Sequence, residues 1–171
     1  MAAAAAIAAL ALTAVLLLML GEAVLSSHNE RVLRGRGAVE PAGDVYATMR
    51  WAYPVCFIAM AVEGALTGPA TAERLAAGFA VLGVAKALKI WAISTLGVHW
   101  TFRVLVVPDA QLIAGGPYAI VRHPNYIAVL GELAGVALIV CAPVTGVLAA
   151  TGFGFLLWRR IAIEDRALGR Q

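Results

Sequence analysis

Long apolar runs separated by short polar or Gly- and Pro-containing breaks dominate the chain, and their lengths set the expected architecture. The first run covers residues 2–20 and continues to Leu25, with Glu22 near its end. A polar segment, 26–44, follows; it carries Arg31, Arg34 and Arg36, with Gly35, Gly37 and Pro41 as breakers, and reads as a loop or surface helix. A second run covers 46–66, and the Thr67-Gly68-Pro69 turn leads to a third at 72–96 that contains Lys86 and Lys89. Residues 97–123 hold Arg103, Pro108, Asp109, Gly115, Gly116, Pro117 and Arg122, too much Gly and Pro for a span. Apolar character resumes at 126–141, stops at Ala142-Pro143 and resumes at 144–158; these two short runs read as a helical hairpin with a tight turn at Pro143. The charged tail, 159–171, is expected to be helical. A lipid-spanning helix needs about 20 mostly apolar residues, so the pattern predicts an all-α, polytopic integral membrane protein with about five transmembrane helices. It divides into N-terminal spans at 1–96, with a basic loop at 26–44, and a C-terminal region at 97–171.

Composition sharpens the picture: of 171 residues, 62% are apolar and only 13% charged, outside the soluble globular class and without room for a separate Rossmann domain. Thirteen Lys and Arg against ten Asp and Glu give a net charge of +3, and no basic run is long enough for DNA or RNA. The cations instead report orientation. They gather at 31–50, 103–122 and 159–170, while the alternate connections are nearly uncharged apart from Arg74, which predicts an external N-terminus and a cytosolic C-terminus in a bacterial-type cell membrane. No Lys or Arg precedes the first run, so it reads as a retained span rather than a cleaved signal. There is no internal repeat to favour an inverted-repeat transporter. Cys56 and Cys141 lack CxxC spacing and nearby His, and His28 and His99 lack metal-like spacing, so neither a metal site nor a disulfide framework is signalled.

The densest chemistry is Gly115-Gly116-Pro117-Tyr118 followed by Arg122-His123-Pro124-Asn125-Tyr126, where a loop enters the fourth span. A helix starting near Pro124 offers free N–H groups and a positive dipole end to an anionic group. A helix cap with an interfacial aromatic belt would explain the two tyrosines equally well, and the residues alone leave both readings open. Glu132 lies within the fourth span, where a carboxylate costs about 2.5–3.5 kcal/mol unless it faces protein or water; a buried partner and a functional role are expected. Lys86 and Lys89 are possible partners, but snorkelling to the interface is the simpler reading. Gly131 and Gly135 form a small-xxx-small pair suited to close helix contact. Arg160 and Glu164, four apart, share one helix face and either pair at the surface or bracket a ligand. Gly152-Phe153-Gly154 has no preceding strand and is rejected as a dinucleotide fingerprint.

In order, Gly116-Pro117-Tyr118, Arg122-His123-Pro124-Asn125-Tyr126, Glu132 and Arg160 through Leu168 resemble the C-terminal half of the isoprenylcysteine carboxyl methyltransferase and phospholipid methyltransferase superfamily. The likeness covers 97–169, and Glu164-Asp165 stands where the family has a Glu pair. The front half, at Asn29-Glu30, Gly37-Ala38-Val39-Glu40, Tyr46, Lys86-Ala87-Leu88-Lys89 and Trp100-Thr101-Phe102-Arg103-Val104, is similar to a bacterial branch that O-methylates alkylpyrones or alkylresorcinols. The resemblance implies S-adenosyl-L-methionine as methyl donor in a cytosol-facing pocket closed by the C-terminal helix. Its contacts would fall on Gln111, Leu112, Ile113, Tyr118, His123, Pro124, Asn125, Tyr126 and Glu164. Arg160 and Glu164 would be the catalytic pair, with Arg160, Arg103 and Glu132 on the side of a lipophilic substrate that enters from the bilayer lipids. Alternatives are a prenylcysteine carboxylate or phospholipid amine as acceptor, a steroid-reductase-like membrane reductase, and a non-enzymatic lipid-binding protein.

Overall fold

Apolar runs fold as helices because lipid offers backbone N–H and C=O groups no partner outside the chain. The computed structural model describes residues 1–108 and 110–169; Asp109 of the polar stretch and Arg170 and Gln171 of the tail lie outside the described residues. It contains five α-helices, α1 (Ala2–Gly35), α2 (Tyr46–Thr67), α3 (Ala72–Leu96), α4 (Pro124–Ile139) and α5 (Pro143–Ala167). Two 3-10 turns, Gly97–His99 and Gly116–Ala119, lie between α3 and α4. Helix makes up 77% of the described residues, and no strand occurs among them; they contain one isolated antiparallel bridge between Val39 and Val106. Three helices, α1, α3 and α5, are long and apolar enough to cross a membrane, and α4 is a shorter apolar helix. This is the all-helical membrane architecture that the run lengths predict.

Two expected boundaries move. The segment 26–44 is not a loop throughout, because α1 continues to Gly35. Its 34 residues give a rod of roughly 51 Å against a hydrocarbon core of about 30 Å. The polar last turns are held by packing rather than by lipid: Ser26, Asn29 and Leu33 are buried, and the Asn29 amide donates to the carbonyls of Gly97 (3.2 Å) and Trp100 (2.8 Å). The expected tail helix is not separate either. It is the end of α5, which runs unbroken for 25 residues.

Consecutive helices run antiparallel and bring two sets of connections to opposite ends. At one end, the α2–α3 turn meets the hairpin turn, where the Thr67 hydroxyl donates to the Cys141 carbonyl at 2.8 Å. The Glu63 carboxylate there accepts from the backbone N–H groups of Val144 (3.0 Å) and Thr145 (2.7 Å) and from the Thr145 hydroxyl, satisfying donors that a helix N-terminus otherwise leaves open. The turn itself occupies 140–142, and Pro143 opens α5, where its missing N–H costs nothing. At the other end gather the last turns of α1, residues 36–45, the long connection after α3 and the last turns of α5.

The tightest packing joins α3 to α4. A Cβ on Gly131 would stand 2.8 Å from the Ala85 Cβ, and one on Gly135 would stand 2.8 Å from the Leu82 amide nitrogen, so the small-residue pair is the close helix contact expected of it. On the other side of α4, Val129, Leu133 and Val136 join Tyr53, Phe57 and Met60 of α2 and Phe153 and Leu157 of α5 in the apolar core.

Candidate active site

The loop entering α4 is shaped by its sequence. Gly116 has φ +56°, and a Cβ there would meet the Thr95 hydroxyl at 2.6 Å, so both conformation and space demand glycine. Pro117, buried, is the second residue of the 3-10 turn that carries Tyr118. His123 then caps α4, whose first residue is Pro124. Tyr126, three residues beyond His123, stacks its ring on the imidazole with centroids 5.4 Å apart and planes 11° from parallel.

From the opposite side, the last turns of α5 bring up Arg160 and Glu164, and the Tyr126 hydroxyl links them. It accepts from Arg160 Nε at 2.9 Å and donates to Glu164 Oε2 at 2.5 Å. Arg160 is only 5% exposed; its remaining donors reach the Phe102 carbonyl and, at 3.3 Å, Asp44 Oδ1. The Arg160–Glu164 pair is therefore not a surface ion bridge. Asp44 also accepts from the backbone N–H groups of Tyr46 (3.2 Å) and Val104 (3.1 Å), so one carboxylate ties the start of α2, the long connection and α5 together. Glu164 approaches His123 Nδ1 at 3.9 Å, and Asp165 approaches His123 Nε2 at 3.3 Å. That imidazole nitrogen and the facing Asp165 oxygen are buried without a well-aligned hydrogen bond to protein. Burial, helped by the charge of Glu164, raises the Tyr118 phenol above its ordinary value and keeps it a neutral donor.

These elements enclose a cavity of about 420 Å³, within the range typical of small-molecule sites. Gln111, Leu112, Ile113, Tyr118, His123, Asn125, Tyr126, Arg160, Glu164 and Arg103 all line it; Met19, Met49, Val129, Phe153 and Leu157 supply its apolar wall. Among the described residues, the backbone N–H groups of Gln111, Leu112 and Ile113 have no hydrogen-bond acceptor. Arg103 lies at the rim, over the Tyr46 ring at 4.5 Å, paired with Glu40 at 2.7 Å and Glu30 at 3.4 Å. Burial pushes the Glu40 carboxyl up, but hydrogen bonds from Arg103 and Arg34 outweigh it and hold the group below its ordinary value.

Pro124 and Glu132 do not line the cavity. Pro124 is buried at the helix start, and Glu132 sits behind Tyr53 and Lys89, which do line it. Glu132 is 1% exposed; it accepts from the Tyr53 hydroxyl at 2.6 Å and pairs at 3.0 Å with both Lys86 and Lys89. The lysines also meet Glu22 of α1 at 3.1 and 2.8 Å. The snorkelling expected of them is thus overturned: the buried Glu132 and the partly buried Glu22 hold them inside the bundle. Glu22 and Tyr53 carried no signal in the sequence beyond being polar groups in apolar runs, and Asp44 none at all.

A profile of the isoprenylcysteine carboxyl methyltransferase family matches residues 76–170. The chain belongs to that family. Among its relatives, this family member is 30% identical over 147 residues to the uncharacterized protein YpbQ of Bacillus subtilis, covering 86% of this chain and 88% of the relative. It is 25% identical over 145 residues to an uncharacterized protein of Haemophilus influenzae, covering 84% of each. No solved structure matches it. The matched region takes in the loop into α4 and the last turns of α5, so the family's region and the polar side of the cavity coincide.

Proposed function

We propose that this protein is an integral membrane methyltransferase that uses S-adenosyl-L-methionine to O-methylate a lipophilic acceptor, most closely an alkylpyrone or alkylresorcinol. The observation that carries the reading is the convergence of Gln111–Ile113, Tyr118, His123, Asn125, Tyr126 and Glu164 on one cavity that also has an apolar wall of Met19, Met49, Val129, Phe153 and Leu157. The donor set suits S-adenosylmethionine: backbone N–H groups at 111–113, without an acceptor among the described residues, for the edge of a purine, Glu164 for an ammonium or ribose hydroxyls, and the start of α4 for a carboxylate. When bound, S-adenosylmethionine supplies an electrophilic methyl group on a sulfonium for in-line displacement.

The chain's own contribution is orientation and exclusion of water. Glu164 is fixed by Tyr126, and Tyr126 by Arg160, so the cofactor side and the acceptor side share one hydroxyl. Arg160 presents a cation, braced by Asp44 and the Phe102 carbonyl, toward the cavity. There it steadies an enolate or phenolate oxygen facing the methyl group. Such acceptors are already acidic and need little help from a base. We place the loop end of the bundle in the cytosol, where the cations of 31–50 and 159–166 gather.

The test is methyl transfer by the detergent-purified protein from labelled S-adenosylmethionine to alkylresorcinol, prenylcysteine and phospholipid, with mass identification of the product and NADPH binding measured beside it. An ether on the resorcinol is expected. An ester on prenylcysteine or an N-methylated phospholipid with no ether changes the acceptor; NADPH binding without affinity for S-adenosylmethionine overturns the reading altogether.

A further inference from the structure

Part of the ionic cluster of Glu22, Lys86, Lys89 and Glu132 belongs to the wall of the proposed active site. Lys89, Glu22 and Tyr53 line the interior cavity. Lys89 lies seven residues before the end of α3 at Leu96, and Tyr53 seven after the start of α2 at Tyr46, so both sit about 10 Å deeper than the loop end of the bundle. Stability does not account for charges at this place, because a buried ion pair can often be exchanged for apolar groups without loss, whereas ionisable groups that face a cavity within the membrane mark sites for polar ligands. Lys89 has a donor left over. Its Nζ makes two aligned hydrogen bonds, to Glu22 Oε2 at 2.8 Å and Glu132 Oε2 at 3.1 Å, and Glu132 Oε1, 3.0 Å away, accepts none among the described residues; an ammonium carries three N–H donors. Glu22 has acceptor capacity left over, since among the described residues its two oxygens take one hydrogen bond each, from Lys86 and Lys89. Beside this polar floor, Tyr53 and Phe153, with ring centroids 4.9 Å apart, give the cavity an aromatic wall suited to a flat ring. Arg160 is close above it. Arg160 donates to the Phe102 carbonyl, the Phe102 N–H donates to Ser26 Oγ at 2.8 Å, and Ser26 stands one turn along α1 from Glu22, roughly 5 Å.

We propose that Lys89, with Glu22 beside it, reads a second oxygen on the ring of the methyl acceptor, meta to the oxygen that Arg160 steadies. The inference rests on the methyltransferase reading and narrows its acceptor to a ring with two oxygens in that relation. A resorcinol presents a hydroxyl at the floor, which accepts from Lys89 and donates to Glu22. A hydroxypyrone presents a carbonyl there, which accepts from Lys89. A phenol with one oxygen satisfies Arg160 but leaves the floor without its partner, and a site built to hydrogen-bond a substrate group discriminates against the analogue that lacks it because its own buried groups stay unpaired.

The test compares three acceptors with the same tail, an alkylresorcinol, an alkyl hydroxypyrone and the alkylphenol that lacks only the second hydroxyl, on the detergent-purified protein. In the wild type, kcat/KM for the alkylphenol should fall about tenfold or more below that for the alkylresorcinol. The double variant Lys89→Met with Glu132→Met removes the donor while leaving Glu22 paired with Lys86. Its loss on the hydroxypyrone, whose second oxygen can only accept, should exceed its loss on the alkylphenol by about tenfold or more, with S-adenosylmethionine affinity unchanged. A merely structural role for Lys89 would lower all three acceptors together. Equal kcat/KM for alkylresorcinol and alkylphenol in the wild type, or equal losses on hydroxypyrone and alkylphenol in the variant, overturns the inference, and the first comparison stands whether or not the variant folds. Failure of the methyltransferase reading registers differently, as absence of product from all three acceptors in the wild type.

Discussion

Exchanging Glu132 for methionine leaves Lys86 and Lys89 with Glu22 alone, two ammonium groups against one carboxylate in a space where the Lys89 and Glu132 side chains are 3% and 2% exposed. Removing one partner of a buried ion pair costs about 3–5 kcal/mol, which for a chain of this size lowers the unfolding midpoint by roughly 6–20 °C. Lys89→Met leaves the opposite imbalance and should cost a similar amount. The double variant is the informative one. It restores parity, because Lys86 and Glu22 remain paired at 3.1 Å, and two methionines fill the vacated volume. Replacing a buried pair by apolar groups is often neutral or stabilising by about 1–4 kcal/mol, offset by about 1–3 kcal/mol for the Tyr53 hydroxyl that loses its acceptor. The double variant should therefore lie within about 3 kcal/mol of wild type, although the two single losses sum to about 6–10 kcal/mol. Thermal unfolding of the four proteins in one detergent reads this directly. Additive losses would mean that the charges are not coupled, and single losses below about 1 kcal/mol would mean that they are solvated; either refutes the desolvated cluster.

Glu164→Ala should chiefly weaken S-adenosylmethionine binding in an equilibrium titration, while Arg160→Ala should lower turnover more than cofactor affinity and also cost about 1–3 kcal/mol in a melt, because it leaves Asp44 and the Phe102 carbonyl without that donor. Gly135→Ala should destabilise by about 1–3 kcal/mol in the same melt, since its Cβ would collide with α3 backbone rather than with a side chain that can move. The depressed Glu40 carboxyl contributes stability that is fully present above its ordinary value of 4.5 and is lost as pH falls through the lower folded value; Glu40→Gln should remove that acid-side loss from a stability-versus-pH series and leave neutral-pH behaviour less stable.

The helices were legible because lipid imposes a length on each apolar run, and the motif around Pro124 was legible because its residues are contiguous. The Gly131 and Gly135 contact could be read from spacing alone. What escaped is whatever depends on which runs become neighbours. Lys86 and Lys89 look alike whether they reach for an interface or for Glu22 and Glu132, residues 64 and 46 positions from Lys86 in the sequence numbering, and only the packing of α1 and α4 around α3 decides. Residues 26–35 read as polar surface, yet one face of that stretch is buried by the connection after α3, which no local pattern announces. Asp44 lies in a loop without a motif and acquires its place only when α5 arrives.

Helix α5 is anchored twice, by Glu63 at its first turn and by Tyr126 and Asp44 at Arg160 and Glu164, with no break between. About 32 Å of continuous helix therefore separates the hairpin from Glu164, and the number of residues in that interval fixes the angle at which the carboxylate arrives. Deleting one residue between 147 and 158 would turn everything beyond it by about 100° and swing Glu164 away from Tyr126, although no functional side chain had been altered. Adding four would bring the angle back to within about 40° and carry Glu164 about 6 Å too far. Substitution at the exposed positions of that stretch, Val147, Leu148, Phe155 and Trp158, is cheap, but insertion and deletion are not, so its outer face should tolerate wide variation in sequence and the stretch almost none in length.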